Sequence, residues 1–167
     1  SLSLNENELQ DIPFAVKQCG ILKNYEGNRI LFKRGISSEG VNAGLIFARF
    51  ENQKFAFRNS INCFKLSIDD ENAYKIVLGI LWSSVAKYYY FLTTAQWGVW
   101  HDEVMPSEMM RLPIPNTESS NTQYAKKIVE IVDILRTNPI DIVYWEKQLD
   151  EAVFDFYYLT ESEKDLI

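Results

Sequence analysis

With 167 residues, 47 % of them hydrophobic and 24 % charged, the chain is long and apolar enough for one globular domain without a metal or disulfide staple. Two cysteines, Cys19 and Cys63, and no signal-peptide pattern lead us to expect a reduced, cytoplasmic protein, and a single histidine, His101, argues against a multi-histidine metal site or a Ser-His-Asp hydrolase. The formal charge of −6 argues against a nucleic-acid partner only until it is counted by segment. Residues 17–65 carry Lys17, Lys23, Arg29, Lys33, Arg34, Arg49, Lys54, Arg58 and Lys65 against Glu26, Glu39 and Glu51, a net of +6. Residues 113–167 carry −6, so a basic N-terminal half precedes an acidic C-terminal half.

In chain order, Arg29 to Ile36 reads as a short strand broken at Gly35. Leu45 to Phe50 and Phe55 to Leu66 read as two further strands joined by a turn at Glu51-Asn52-Gln53-Lys54. Strand side chains alternate between faces, which puts Phe55, Phe57, Ile61 and Cys63 on one face and Lys54, Arg58, Ser60 and Asn62 on the other. Arg29 and Lys33 share a parity in their own strand. Paired, these strands would make a sheet with one apolar face and one basic face.

Asp69-Asp70-Glu71 places acids where a helix dipole favours them, and the helix is expected to run unbroken to about Thr94. Its stretch Ile76–Leu92 is almost wholly apolar but contains Lys87 and two serines, which favours a buried central helix over a membrane span. Gln96 to Val104 suggests another strand, and Leu112-Pro113-Ile114-Pro115 must be extended or turn-like. Ile128, Ile131, Val132 and Leu135 follow helical spacing. Pro139 is expected in the first turn of a second helix, whose stripe is Ile142, Trp145, Leu149, Val153 and Phe156. Thr160-Glu161-Ser162-Glu163 is a capping-box pattern for a final short helix. The expected class is α+β: a small mixed or antiparallel sheet packed on a long aromatic-rich helix, then a C-terminal helical hairpin.

Catalytic patterns are mostly absent. The seven glycines form no phosphate or dinucleotide loop, and no Glu-x-Lys or Asp-x-Lys of the metal-dependent nucleases occurs. The Asn/Asp-Pro-Pro-aromatic tetrapeptide that holds a flipped adenine in amino-methyltransferases is also missing. Asp102-Glu103 beside His101 could form an acid/base pair, but carboxylates flank a lone histidine often by chance. Cys63, on the expected apolar face, reads as an inert buried thiol.

A series of residues carries a resemblance. Gly27-Asn28-Arg29-Ile30-Leu31 with Lys33-Arg34-Gly35 is followed by Phe57-Arg58-Asn59-Ser60-Ile61. Then come Leu78-Gly79-Ile80-Leu81-Trp82-Ser83-Ser84 leading into an aromatic helix, Trp97-Gly98 and Leu112-Pro113-Ile114-Pro115. Over about residues 22–137 this order resembles the TaqI-like C-terminal specificity domain of bacterial N6-adenine DNA methyltransferases and fused restriction-modification proteins. The helix departs from that pattern in having Trp82-Ser83 where Asn-Ser is usual.

The resemblance implies a target-recognition domain at 22–115, an N-terminal linker at 1–21 from an upstream catalytic domain, and a helical extension at 116–167. It implies duplex DNA and that upstream methyltransferase domain as partners, and neither a membrane nor a small-molecule substrate. No cofactor is expected in this chain itself, S-adenosylmethionine belonging to the catalytic domain, and methyl transfer is not expected from this chain alone. Lys and Arg neutralise phosphates and set register, whereas Arg, Asn and Gln make paired hydrogen bonds to base edges. Lys33, Arg34, Arg58, Asn59 and Ser60 are therefore the leading DNA-binding candidates, followed by Arg49, Lys54, Gln96, Trp100 and His101. Each has a structural alternative: Arg58 could pair with Glu51, Asn59 could satisfy backbone, and Trp100 could be core. Two competing functions remain at this level, a protein-docking module of a multi-subunit defence complex and a hydrolase built around His101.

Overall fold

A computed structural model describes residues 7, 9–11, 20–36, 44–95, 97, 103–115, 122–137 and 139–167. After a 3-10 turn at Leu22–Tyr25 come strands β1 (Arg29–Lys33), β2 (Ala48–Glu51) and β3 (Ile61–Phe64). Six helices follow: α1 (Glu71–Trp82), α2 (Ser84–Thr93), α3 (Pro106–Met109), α4 (Thr122–Arg136), α5 (Ile142–Tyr157) and α6 (Glu161–Lys164). The class is α+β, with an antiparallel three-stranded sheet and a C-terminal helical hairpin, as the sequence leads one to expect.

The strand order β2-β1-β3 corrects the expected hairpin: β2 and β3 do not pair but flank β1 on opposite edges. Residues 55–60 are not strand. The reason lies in Arg29, which the register sets opposite Glu51 and which is wholly buried rather than on an open basic face with Lys33. A buried guanidinium must find acceptors. The segment after β2 folds over it, so that the Gln53 and Gly27 carbonyls accept from Arg29 and the Phe55 ring lies 5.0 Å from its guanidinium carbon. Phe55 N–H then bonds the Tyr25 carbonyl at 3.0 Å, and Phe57 stacks edge-on against Tyr25, leaving neither for a strand partner.

Register also corrects the expected faces. Ile30, Phe32, Ala48, Phe50, Asn62 and Phe64 share the face that packs on α1, where Phe50 meets Tyr74 at 5.5 Å. Arg29, Leu31, Lys33, Arg49, Glu51, Ile61 and Cys63 share the other. Cys63 therefore lies on the face that holds the bases, and Asn62 on the apolar one. Burial pushes the Cys63 thiol above its ordinary pKa, which keeps it protonated and unreactive.

The expected single helix is two, α1 and α2, bent by 68°. The bend has a chemical cause at Ser83, whose ψ of 162° leaves the helical region and whose Oγ donates to the Ile80 carbonyl at 2.7 Å. The freed start of α2 is completed from elsewhere, Ser84 N–H donating to the Asp150 carboxylate of α5 at 2.7 Å. Asp70 caps α1 through Asn72 N–H at 3.0 Å. Among the described residues no single helix is long and apolar enough to cross a membrane.

One core joins the sheet to the hairpin. Ile128, Ile131, Val132 and Leu135 of α4 and Leu149, Val153 and Phe156 of α5 are buried as their spacing predicts. Ile142 is exposed and Trp145 half-buried, so the apolar stripe of α5 reaches less far toward its start than predicted. A Cβ on Gly79 would stand 2.5 Å from Ile128 Cγ2 and 3.3 Å from Leu149 Cδ1, so α1 approaches both helices at a glycine. Pro139 precedes α5 instead of opening it, and Asp141 is the cap, accepting Tyr144 N–H at 3.0 Å. Thr160 and Glu163 form the expected capping box of α6. The segment 112–115 is neither helix nor strand; the Tyr157 hydroxyl of α5 donates to its Pro113 carbonyl, and the Tyr90 and Tyr89 hydroxyls of the aromatic run donate to the Met109 and Arg111 carbonyls just before it. Of the expected strand at Gln96–Val104, Glu103 makes an isolated bridge to Gly35; Gln96 and residues 98–102 lie outside the described residues.

Candidate nucleic-acid interface

The end of β1 gathers the leading candidates. Lys33 opposes Ile61 of β3, and Arg34 N–H donates to the Ser60 carbonyl at 3.1 Å. Ile61 N–H closes back on the Arg58 carbonyl at 3.0 Å, so Arg58-Asn59-Ser60 is a tight turn leading into β3 rather than part of a strand. Backbone bonding thus sets Lys33-Arg34 beside Arg58-Asn59-Ser60, and all five are exposed. Asn59 faces solvent, not the apolar side that strand alternation assigned it. Arg58 has no ion pair with Glu51, because Glu51 is already held by Arg49 and by the N–H groups of Asn52 and Gln53.

The secondary candidates divide. Arg49 pairs with Glu51 and is half-buried, so its charge is satisfied within the sheet. Lys54 pairs with Glu26 at 3.1 Å, beyond the end of β1 opposite to Lys33. Gln96, Trp100 and His101 lie outside the described residues.

Two further residues belong to this end of the sheet and escape a reading of local sequence. Glu103 accepts from Arg34 Nε at 2.8 Å across 69 residues of chain. Lys87, on α2, lies beside Gly44, where an added Cβ would meet its Cε at 2.8 Å. The signal that could have found Glu103 is its place in the apolar-flanked run that suggested a strand; its register against Gly35 needed the fold. For Lys87 the only signal is a charge in an otherwise apolar helix.

A groove of about 870 Å³ adjoins the cluster. Lys33, Ser60 and Lys87 line it together with Phe47 and Trp82, while Glu146 and Asp150 of α5 supply acids. Lys33 Nζ stands 5.7 Å from the Phe47 ring centre, an arrangement that steadies a cation without neutralising it. Trp82 Nε1 donates to the Ala48 carbonyl at 2.9 Å, so the Trp82 that departs from the resembled pattern closes the free edge of β2. Among the described residues no cluster of His, Cys, Asp and Glu is suited to hold a metal ion. Chemically the site offers exposed donors, two kinds of cation and short polar side chains on a rigid strand end, a set suited to binding anions and polar edges. Neither a family model nor a curated protein matches the chain.

Proposed function

We propose that this chain recognises duplex DNA in a sequence-specific manner, as the target-recognition part of an N6-adenine DNA methyltransferase or fused restriction-modification enzyme. Methyl transfer, with S-adenosylmethionine, would belong to the catalytic domain of that enzyme, and the recognition part would supply the site choice. The observation that carries the reading is the Arg34–Ser60 backbone bond, which brings two separately nominated groups, Lys33-Arg34 and Arg58-Asn59-Ser60, to one exposed strand end. Cationic side chains suited to phosphates and arginine, asparagine and serine groups suited to base edges then share one rigid support.

Selection from a randomised duplex pool at low salt, followed by a salt titration, tests it. The expected outcome is a shared motif among the retained duplexes, with affinity falling as log salt rises by a slope of about −0.9 per phosphate neutralised. The K33A/R34A/R58A variant is expected to lose that binding while keeping its fold. Binding that is absent, or that the triple variant retains in full, would overturn the proposal. One observation favours the docking alternative: Ile140, Val143 and Tyr144 form an exposed apolar group around the turn between α4 and α5. Under that reading the triple variant would leave partner assembly and site choice unchanged.

A further inference from the structure

We propose that Glu103 is a positioning residue that presents the Arg34 guanidinium to the edge of a guanine in the recognised duplex. The inference rests on the DNA-recognition reading and adds a base identity to it. Arg34 is fixed through its backbone on both sides: its N–H donates to the Ser60 carbonyl at 3.1 Å and its carbonyl accepts Val104 N–H at 3.2 Å. Gly35 and Glu103 pair in an antiparallel bridge, so the carboxylate arrives beside Arg34 as part of the backbone geometry. Glu103 Oε2 then accepts from Arg34 Nε at 2.8 Å.

That bond engages the inner nitrogen of the guanidinium. Among the described residues the two terminal nitrogens carry no hydrogen bond, and the Arg34 side chain is 45 % exposed against 24 % for Glu103. A guanidinium is planar with five donors in a rigid fork, so holding Nε fixes the plane and leaves the end-on pair aimed outward. Such a pair matches O6 and N7 of guanine in the major groove.

The same fork can clamp a phosphate, but the carboxylate argues for the base. At 2.8 Å it offsets most of the cation's attraction for a phosphate while leaving the donor geometry intact. Lys33 and Arg58, which have no carboxylate partner among the described residues, are the better phosphate contacts of the cluster.

The test repeats the duplex selection with the full chain and its E103A, E103Q and R34A variants, reading base preference at each position and affinity for a non-specific duplex. R34A is expected to erase a preference of about tenfold or more for one G·C pair. E103A should weaken that same preference about two- to tenfold, because the freed side chain must be ordered on binding, while affinity for the non-specific duplex rises as a negative charge leaves. E103Q retains an acceptor oxygen and should restore most of the preference; being isosteric, it also serves if alanine disturbs the fold. A merely structural role for Glu103 would lower both readouts together. If R34A weakens all sequences equally and reduces the salt slope by about one, Arg34 is a phosphate contact and the proposal falls while DNA recognition stands. An unchanged preference in both Glu103 variants overturns it as well. If the unsubstituted chain enriches no motif, both readings fail together.

Discussion

Arg29 is the largest fully buried side chain among the described residues, and its company determines how it behaves. Glu51, almost as deeply buried, stands between Arg29 and Arg49 and also accepts from two backbone N–H groups. Burial lowers the Arg29 pKa and the Glu51 charge works against that lowering. Glu51→Gln removes the only anion of this group and leaves two arginines facing each other, at an expected cost of about 3 kcal/mol or more. Arg29→Met leaves Glu51 with Arg49 and is expected to cost less, about 1–3 kcal/mol for the carbonyls of Gly27 and Gln53 left without a donor. Urea midpoints of the two variants check the order; a more damaging Arg29→Met would refute it. Asp150 contributes a pH dependence of its own. Its half-buried carboxyl has a raised pKa, desolvation outweighing the Ser84 hydrogen bonds, so the folded state holds the proton more tightly than the unfolded chain does. Stability from this group is full below the unfolded value of about 4 and is lost as pH rises through the raised folded value. Asp150→Asn keeps an acceptor for Ser84, so its stability relative to the unsubstituted protein should grow with pH across that window. A difference that stays constant with pH would count against the assignment.

At the scale of elements, the contact of α1 with α4 and α5 is the tightest test of packing. Gly79→Ala gains roughly 1 kcal/mol in helix propensity but drives a methyl into Ile128, Val132 and Leu149, and overpacking costs about 1–3 kcal/mol. Ile128 and Val132 are branched side chains that are themselves fully buried, so they have little room to turn away, and a net loss of stability is expected in chemical denaturation. The helices were legible because apolar spacing of 3.6 residues and signals such as the acids at Asp69–Glu71 and the Thr160 capping box act within one turn, whereas the Asp141 cap of α5 was missed in favour of Pro139. The bend at Ser83 was not, since the run Ile80 to Val85 is compatible with helix by propensity, and the α2 start is completed by a carboxylate 66 residues away. The failed strand at 55–60 has the same origin: its alternation was real, but Phe55 and Phe57 serve Arg29 and Tyr25.

For the whole molecule, the expected boundary at residue 115 separates parts that share one core. Tyr74, Leu78 and Ile80 of α1 are buried in the same cluster as Ile128, Val132 and Leu149. A chain ending at residue 121 would leave this face of α1 open to water, and it is expected to lack a cooperative thermal transition; a sharp melt with native-like circular dichroism would show that the first part folds alone. The uneven charge has a structural counterpart, the leading bases lying at one strand end and the described acids of residues 122–167 on and around the helical hairpin. Of the candidate site, Lys33, Arg34 and the turn 58–60 were legible as charge and hydrogen-bonding groups beside Gly35. Their meeting was not, and neither was Glu103.

The amino-acid order by itself determined the α+β class, the helical hairpin with its buried stripe, the absence of helix at Leu112–Pro115 and the excess of bases in residues 17–65. All of these follow from interactions between residues a few positions apart, where periodicity and capping operate. Tertiary structure alone decided the strand order, the burial of Arg29, the break at Ser83 and the pairing of Arg34 with Glu103. Apart from the local Ser83–Ile80 bond, each rests on contacts between residues 22 to 69 positions apart, where the deciding terms are desolvation and the need to partner buried polar groups, and these exist only once distant segments meet.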